Sequence, residues 1–441
     1  MAFKGRTPTA HTSLDHLPSG PGPPPASIFH TQRFWSFVAS CCDDETLEAL
    51  SLVNRIIGRI AQKQLFYFLY FQASHKDQNN PRAQEAYEQR GDRTIRRFTG
   101  IVVSGFAPSV RFLKYIGVYQ PEDIGRPFSG YEDIVAYYDL RSLRSLLTLL
   151  PNYCGIRKME MSLVTLNQQE MEIITSLKSL EHLELREVKL TDLPRCRTLP
   201  RLKELVFESR KAPKPNGQII QICQPGALEE LKLSPNITLA FLSGLVEGGG
   251  CPELQSLEVT VNTATEPVFY ELLKTCDNLN VLVVNHDFDD IVMDPYLPAD
   301  FPLEACANLT WFVGPIFFAA RLVPGRPVVS VEIEESGFPS TFVDMDDFVE
   351  AVRVCSRSSA PLETLHIATF RADASAMTLI NEIGALFPEL TSLHLLVKDP
   401  KSDEDSDNDV DMDDGDDVPP DACDNMEVDN SNAGYSVSMR L

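Results

Sequence analysis

The sequence lacks the features of a membrane or secreted protein. No window holds the roughly eighteen uncharged apolar residues that a spanning helix needs. The first residues, Met1 to Pro25, are polar and then proline-rich, without the apolar core of a signal peptide. The ten cysteines are spread out with no CxxC pair, which favours buried reduced thiols over a disulfide framework. We therefore expect a soluble intracellular protein, cytoplasmic, nuclear or both, without membrane contact.

Enzyme signatures are also missing. The chain has no GxxxxGK[ST], GxGxxG, GxSxG, HExxH or kinase-type HRD motif, so the phosphate loops and activated nucleophiles that these motifs supply are absent from the sequence. We predict that the protein is not an enzyme and carries no cofactor or metal. Its function should then be sought in binding.

Positive charge is scarce. Against 63 acidic residues stand 39 Lys and Arg, which gives a net charge of −24. Fourteen acids and no base lie between Ser402 and Asn430, so the rest of the chain sums to −24 + 14 = −10. An acidic body without a basic stripe predicts no nucleic-acid binding, which needs clustered Lys and Arg.

The ends of the chain are low in packing residues. Residues 1–26 are rich in proline and glycine and predict a disordered leader. Residues 399–441 predict a disordered acidic tail. In that tail Ser402 and Ser406 each precede an acid by three residues, the pattern that acid-directed kinases favour, so we predict phosphorylation at both.

Between the leader and residue 100 the sequence predicts a small helical unit and a linker. Residues 27–73 begin with an apolar helix over Ile28–Val38. A second helix begins at Asp43, whose carboxylate can cap free amides, and carries an apolar stripe. That stripe holds Leu47, Leu50, Val53 and Ile57. Residues 74–100 open on a polar stretch without apolar period and predict a linker or an exposed helix.

The strongest feature is an internal repeat within residues 101–398. Its template is apolar, two spacers, apolar, one spacer, apolar, and it occurs at Ile156-Met159-Met161, Leu180-Leu183-Leu185, Leu202-Leu205-Phe207, Leu228-Leu231-Leu233, Leu254-Leu257-Val259, Leu279-Leu282-Val284, Val328-Val331-Ile333, Leu362-Leu365-Ile367 and Leu390-Leu393-Leu395. The first six units are spaced by 24, 22, 26, 26 and 25 residues. Weaker units begin at Val110 and Leu309. Such regular spacing is typical of stacked structural repeats.

Each repeat predicts one short strand and one returning helix. Alternation of apolar and polar residues describes a strand with one buried face, and about twenty intervening residues can return the chain through a helix. The predicted fold class is α/β, with parallel strands and helices in a curved solenoid that follows the helical unit. Cys251, Cys276 and Cys306 each precede a repeat by three residues. Small buried side chains explain them better than zinc ligation, the alternative, because no second ligand pair is near.

The chain resembles the F-box/leucine-rich-repeat proteins of the divergent fungal type. In the helical unit the resemblance rests on Asp43-Asp-Glu-Thr-Leu-Glu-Ala-Leu-Ser-Leu-Val-Asn-Arg55, which is similar to the second half of an F-box. In the repeats it rests on the cysteine-containing template. It extends over residues 28 to about 397.

This resemblance implies a substrate-recognition subunit of an SCF-type cullin-RING ubiquitin ligase, which does no covalent chemistry itself. The F-box would bind the Skp-type adaptor of the ligase core through Phe34, Trp35, Val38, Leu47, Leu50 and Val53. The repeats would present an unknown protein substrate through His182, Glu184, Arg186, Glu204, Glu208, Glu230, Lys232, Glu258, Asn285 and His366. Because acids prevail in the early repeats, we expect a basic partner patch there. The alternative is a leucine-rich-repeat scaffold without ligase association.

Overall fold

A computed structural model describes residues 26–72, 83–117, 141–209, 219–262, 264–286, 301–333, 345–371, 374–398 and 435–440. The leader before residue 26 and the acidic tail with Ser402 and Ser406 lie outside the described residues. The chain divides into two compact units, Met1–Phe68 and Leu69–Leu441. None of the described helices has the length and apolarity that crossing a bilayer requires.

Three helices form the first unit: α1 (Ala26–Ser40), α2 (Asp44–Ser51) and α3 (Arg55–Leu65). The predicted cap at Asp43 is confirmed, because its carboxylate accepts a hydrogen bond from the Thr46 amide at 2.8 Å. The prediction of one helix through Ile57 is wrong. Asn54 accepts bonds from the amides of Ile56 and Ile57, each at 2.9 Å, and so starts a new helix at that point.

The second unit opens on β1 (Phe68–Gln72) and α4 (Ala83–Val103). Helix α4 occupies most of the segment for which the sequence predicts a linker. Its Phe98 side chain is fully buried, and its ring meets that of Phe71 at 4.2 Å between centroids. Residues 83–100 therefore belong to the body of this unit and are not a free connection.

One large open sheet dominates the second unit. Thirteen of the described strands follow the order β1-β2-β3-β5-β6-β7-β8-β9-β10-β11-β12-β13-β14, and β4 (Thr165–Leu166) pairs only with β5. The strands after β1 are β2 (Phe112–Ile116), β3 (Lys158–Ser162), β5 (His182–Leu190), β6 (Glu204–Ser209), β7 (Glu230–Leu233), β8 (Ser256–Val261), β9 (Val281–His286), β10 (Trp311–Gly314), β11 (Ser330–Ile333), β12 (Thr364–Arg371), β13 (Ser392–Lys398) and β14 (Tyr435–Arg440).

All pairs from β2 to β13 are parallel, and β14 pairs antiparallel with β13. The middle apolar residue of each repeat stands opposite its equivalent in the next, as Leu183, Leu205, Leu231 and Leu257 do. These side chains are buried. The α/β prediction with a parallel sheet is thus confirmed, because the alternation fixes which face of every strand leaves water.

Helices return the chain between most strands, but the prediction of one helix in every repeat is wrong for residues 191–203, which join β5 to β6 without a helix. The helices are α5 (residues 141–149), α6 (Gln168–Thr175), α7 (Pro235–Glu247), α8 (Glu266–Leu273), α9 (Ile316–Leu322), α10 (Met345–Cys355) and α11 (Ala374–Leu386). Phe241 of α7 meets Phe207 of β6 edge to face at 6.2 Å between ring centroids. The apolar core therefore lies between the helices and one face of the sheet.

Candidate functional site

The sheet face opposite the core carries all ten residues predicted to face a substrate. Two rows cross it. One row runs from His182 through Glu204 and Glu230, and the next from Glu184 through Lys232, Glu258 and on to His366. Arg186, Glu208 and Asn285 lie two residues further along their strands. The strand period thus places these side chains, all at least partly exposed, on one surface.

Ion pairs neutralise much of this face. Lys232 contacts Glu258 at 2.8 Å, and His182 Nδ1 donates to Glu204 Oε2 at 2.8 Å. Arg186 bonds Glu184 and reaches Glu208 at 3.4 Å. Within the described residues Glu230 alone of the predicted acids makes no ion pair. The excess of acid that the sequence suggests is therefore largely answered by neighbouring strands.

A further group on β2 and β3 extends the charged rows. Glu160 is buried between Lys114 at 2.8 Å and Lys158 at 3.0 Å, and Lys158 also approaches Glu184 at 3.9 Å. Burial alone would raise the pKa of Glu160, but the hydrogen bonds from Lys114 and Lys158 outweigh it and hold that pKa below its ordinary value. The hydrogen bond that Lys158 donates to Glu160 also raises the pKa of Lys158.

This group predicts a pH dependence of stability. Because the folded pKa of Glu160 is lowered, its contribution is present above the ordinary value of 4.5 and is lost as pH falls through the folded value. Glu160→Gln should lower the free energy of unfolding by about 1–2 kcal/mol at pH 7, and the difference from wild type should shrink below about pH 4. Urea unfolding across that range measures it.

The exposed pair of Lys203 and Glu229, 2.9 Å apart, supplies the control. Water screens such a pair, so Glu229→Gln should change the free energy of unfolding little at any of these pH values. A difference between Glu160→Gln and wild type that stays constant from pH 7 to pH 3 would contradict the assignment.

The sheet face changes character beyond β8. Val281 and Val283 on β9 are half-buried, and the indole of Trp311 on β10 is 43% exposed. Further on, His366 lies 3.9 Å from Glu332, and its ring is 5.8 Å from that of His394. An apolar strip with an exposed tryptophan between two polar regions is a common arrangement at protein interfaces.

The cysteines of the repeats belong to the core. Cys251, Cys276 and Cys306 are buried, and the thiol of Cys276 donates to the Leu272 carbonyl at 3.3 Å. Burial raises the pKa of Cys251 and of Cys306 to about 12. Thiols in this state are poor nucleophiles.

On the first unit the predicted adaptor-binding residues separate into two groups. Leu47 is only 2% exposed and forms a small core with Ala39 and Ala61, against which Leu50 packs. Phe34 and Val53 are about 60% exposed, while Trp35 and Val38 are half-buried. Leu47 therefore holds the helices together, and Phe34 and Val53 face outward.

Three exposed apolar side chains beside these escaped sequence reasoning: Phe37, Leu52 and Ile56, the most exposed being Leu52 at 86%. A groove of about 350 Å³ lies next to them and is lined by Trp35, Asn54, Arg55, Ile56 and Ile57. If the apolar period is assigned to one continuous helix, it predicts Leu52 and Ile56 to be core residues. The sequence signal against this is Asn54, which caps a new helix, so that both side chains are exposed.

Sequence reasoning missed four residues of the sheet face that occupy the same strand positions as the predicted ones: Lys114, Lys158, Glu160 and Trp311. Extending the template to the weaker units at Val110 and Leu309 and to the first full unit would have found them.

No protein-family model matches the chain, and no curated protein matches it.

Proposed function

We propose that the protein is the substrate-recognition subunit of an SCF-type cullin-RING ubiquitin ligase. In this proposal the first unit is an F-box that binds the Skp-type adaptor, and the second is a leucine-rich-repeat solenoid that presents a protein substrate. The observation that carries it is the apolar surface of the first unit, made of Phe34, Phe37, Leu52, Val53 and Ile56, whose side chains are 59–86% exposed.

This apolar surface is large for its unit. The three helices span 40 residues, and the buried apolar side chains described among them are Ala39, Leu47, Ile57 and Ala61, with partly buried neighbours. The Phe34 ring contacts that of Trp35, and Trp35 and Ile56 line one groove, so members of this group lie together. Soluble proteins rarely leave such a group of large apolar side chains in water unless a partner covers it. Two aromatic rings in edge contact, Phe34 and Trp35 at 5.5 Å, beside a groove supply the kind of anchor that dominates binding energy.

The second unit supports the substrate role through its sheet face. Half-exposed polar rows and the strip around Trp311 offer charge and apolar contacts on one continuous surface. The thiols of Cys251, Cys276 and Cys306 are buried, and the rings of His182 and His366 lie against Glu204 and Glu332 on the sheet face. These properties favour recognition over catalysis, as the proposal requires.

Adaptor binding is tested with the full chain carrying Leu52→Asp and Val53→Asp. Both side chains are exposed, so the change should leave the helices folded while charging the proposed interface. We expect wild type to co-purify the Skp-type adaptor and the double variant to bind it at least 30-fold more weakly, as for loss of a hot spot worth about 2 kcal/mol. Val103→Asp and Leu239→Asp, at exposed sites of the second unit, are the matched controls and should retain binding.

Equal binding by the double variant and the controls would remove this surface from the proposal. Failure of wild type to recruit any adaptor would favour the alternative, a leucine-rich-repeat scaffold without ligase association. Circular dichroism of each variant separates loss of binding from loss of fold.

A further inference from the structure

Two neighbouring helices of the second unit concentrate positive charge in a strongly acidic protein. Helix α4 holds Arg90, Arg93, Arg96 and Arg97 against Glu85, Glu88 and Asp92, and α5 adds Arg141 and Arg144 without an acid. The sum over the two helices is 6 − 3 = +3, in a chain of net charge −24. The expectation that the chain lacks a basic stripe therefore does not hold at this place.

The fold brings these arginines to one surface, here named the arginine patch. At 100° per residue the four on α4 span about 120°, on the side opposite the buried Phe98. An ion pair at 3.3 Å between Asp92 and Arg141 joins α4 to α5. All six arginines of the patch are exposed.

Four arginines of the patch, Arg93, Arg96, Arg97 and Arg144, make no ion pair within the described residues, whereas Arg141 pairs with Asp92. Arg93 bonds the carbonyl of Gln89 at 3.3 Å, and the Arg97 guanidinium lies 5.2 Å from the centre of the Phe71 ring, so neither contact supplies a negative charge. Like charges three and four residues apart destabilise a helix, and an anion that bridges them would relieve this repulsion.

We propose that the arginine patch binds a short acidic segment of a partner protein, a run of Asp and Glu or a phosphorylated serine among them. The proposal rests on the proposed function in one respect, namely that this partner is the substrate. Guanidinium groups fit carboxylates and phosphates through two parallel hydrogen bonds, which a patch built from arginine alone can exploit.

The size of the patch favours a short segment over a long polyanion. Arg90 and Arg97 are seven residues apart, about 10 Å along the helix, which matches three or four residues of an extended peptide. The rest of the chain carries −24 − 3 = −27. A nucleic acid that extends past the patch would meet this negative charge, whereas a short acidic peptide would not.

The chain's own acidic tail is a less suitable occupant. It joins β13 to β14, and the sheet order places β13 ten strand spacings from β2, about 48 Å along the sheet. The patch lies at the β2 end, since the Tyr153 hydroxyl before β3 bonds the Phe98 carbonyl of α4 at 3.0 Å. A partner segment reaches this end without that constraint.

The test uses the full chain and two fluorescein-labelled decapeptides, one of alternating Glu and Ser and one with its serines phosphorylated, followed by fluorescence anisotropy at physiological salt. We expect both peptides to bind, the phosphorylated one more tightly. The triple variant with Arg93→Gln, Arg96→Gln and Arg144→Gln should bind them about tenfold more weakly or worse. In the control variant three exposed arginines elsewhere are changed to Gln, namely Arg195, Arg197 and Arg201. Its net charge changes by the same amount, so its peptide affinity should stay within about twofold of wild type if the position of the arginines matters.

Three results would overturn the proposal. One is an equal loss in the patch and control variants, which would mean unspecific attraction. The second is tighter binding of an oligonucleotide whose charge equals that of the peptides, if the same three arginine substitutions also weaken that binding. The third is peptide binding only after the tail acids are changed to amides, which would make the tail the occupant. Because the patch variant should still co-purify the adaptor, its outcome is independent of the adaptor experiment.

Discussion

Arg326→Met is expected to lower the free energy of unfolding of the second unit by about 3–5 kcal/mol. The guanidinium of Arg326 is 1% exposed and donates to the carbonyls of Ala305 at 2.7 Å, Leu322 at 2.9 Å and Pro302 at 3.1 Å. Burial lowers the pKa of the Arg326 guanidinium, and an arginine side chain stays protonated in proteins. Methionine fills a similar volume but removes the guanidinium donor from the carbonyls of the buried residues Ala305 and Leu322, whereas the Pro302 carbonyl still accepts from the Ala305 amide.

The loss should be large because the Arg326 side chain ties two segments together. Its guanidinium donors hold the turn before β10 and the end of α9. Its guanidinium also lies 5.4 Å from the centre of the Phe301 ring. Arg326→Lys keeps the charge but cannot reach the same carbonyls together, so we expect an intermediate loss.

Urea unfolding in a Trp35→Phe background measures these changes, because Trp311 on the neighbouring β10 is then the only tryptophan. Arg353→Met on α10 is the control. That side chain is exposed and pairs with Glu350 and Glu382, so its removal should cost less than about 1 kcal/mol. A loss below about 1 kcal/mol for Arg326→Met would show that water or a local shift satisfies the freed carbonyls.

The parallel sheet is predictable from the sequence because one residue period decides it. A strand repeats every two residues, so the pair Leu183 and Leu185 marks a buried face without knowledge of any distant contact. The spacing between repeats then sets the number of strands and leaves room for one helix in each interval. Neither inference requires the partner of a given side chain.

Arg326 and the arginine patch escape such reasoning for a different reason. A periodic pattern predicts any charged residue to be exposed, whereas Arg326 is buried because carbonyls from two other segments accept its hydrogen bonds. The patch combines residues 48 positions apart, from Arg96 to Arg144, and averaging charge along the chain hides it. Both features depend on tertiary contacts.

The break at Asn54 is a local signal that competes with a stronger one. The apolar stripe from Leu47 to Ile57 favours a continuous helix, whereas the Asn54 side chain favours a new start by bonding two amides. The cap prevails and moves Leu52 and Val53 from a presumed core into water. One asparagine thus places part of the proposed adaptor surface, Leu52 and Val53, in the turn between α2 and α3.

Phe207→Ala is expected to lower the free energy of unfolding of the second unit by about 3–5 kcal/mol, because it removes a fully buried ring in edge contact with Phe241 and leaves a cavity. Val206→Ala on the same strand should cost less than about 1 kcal/mol, since Val206 points to the opposite, half-exposed face. Urea unfolding with Trp311 as reporter compares the two. Equal losses would mean that β6 shifts by one residue, which would also carry Glu204 and Glu208 off the face proposed to meet a substrate.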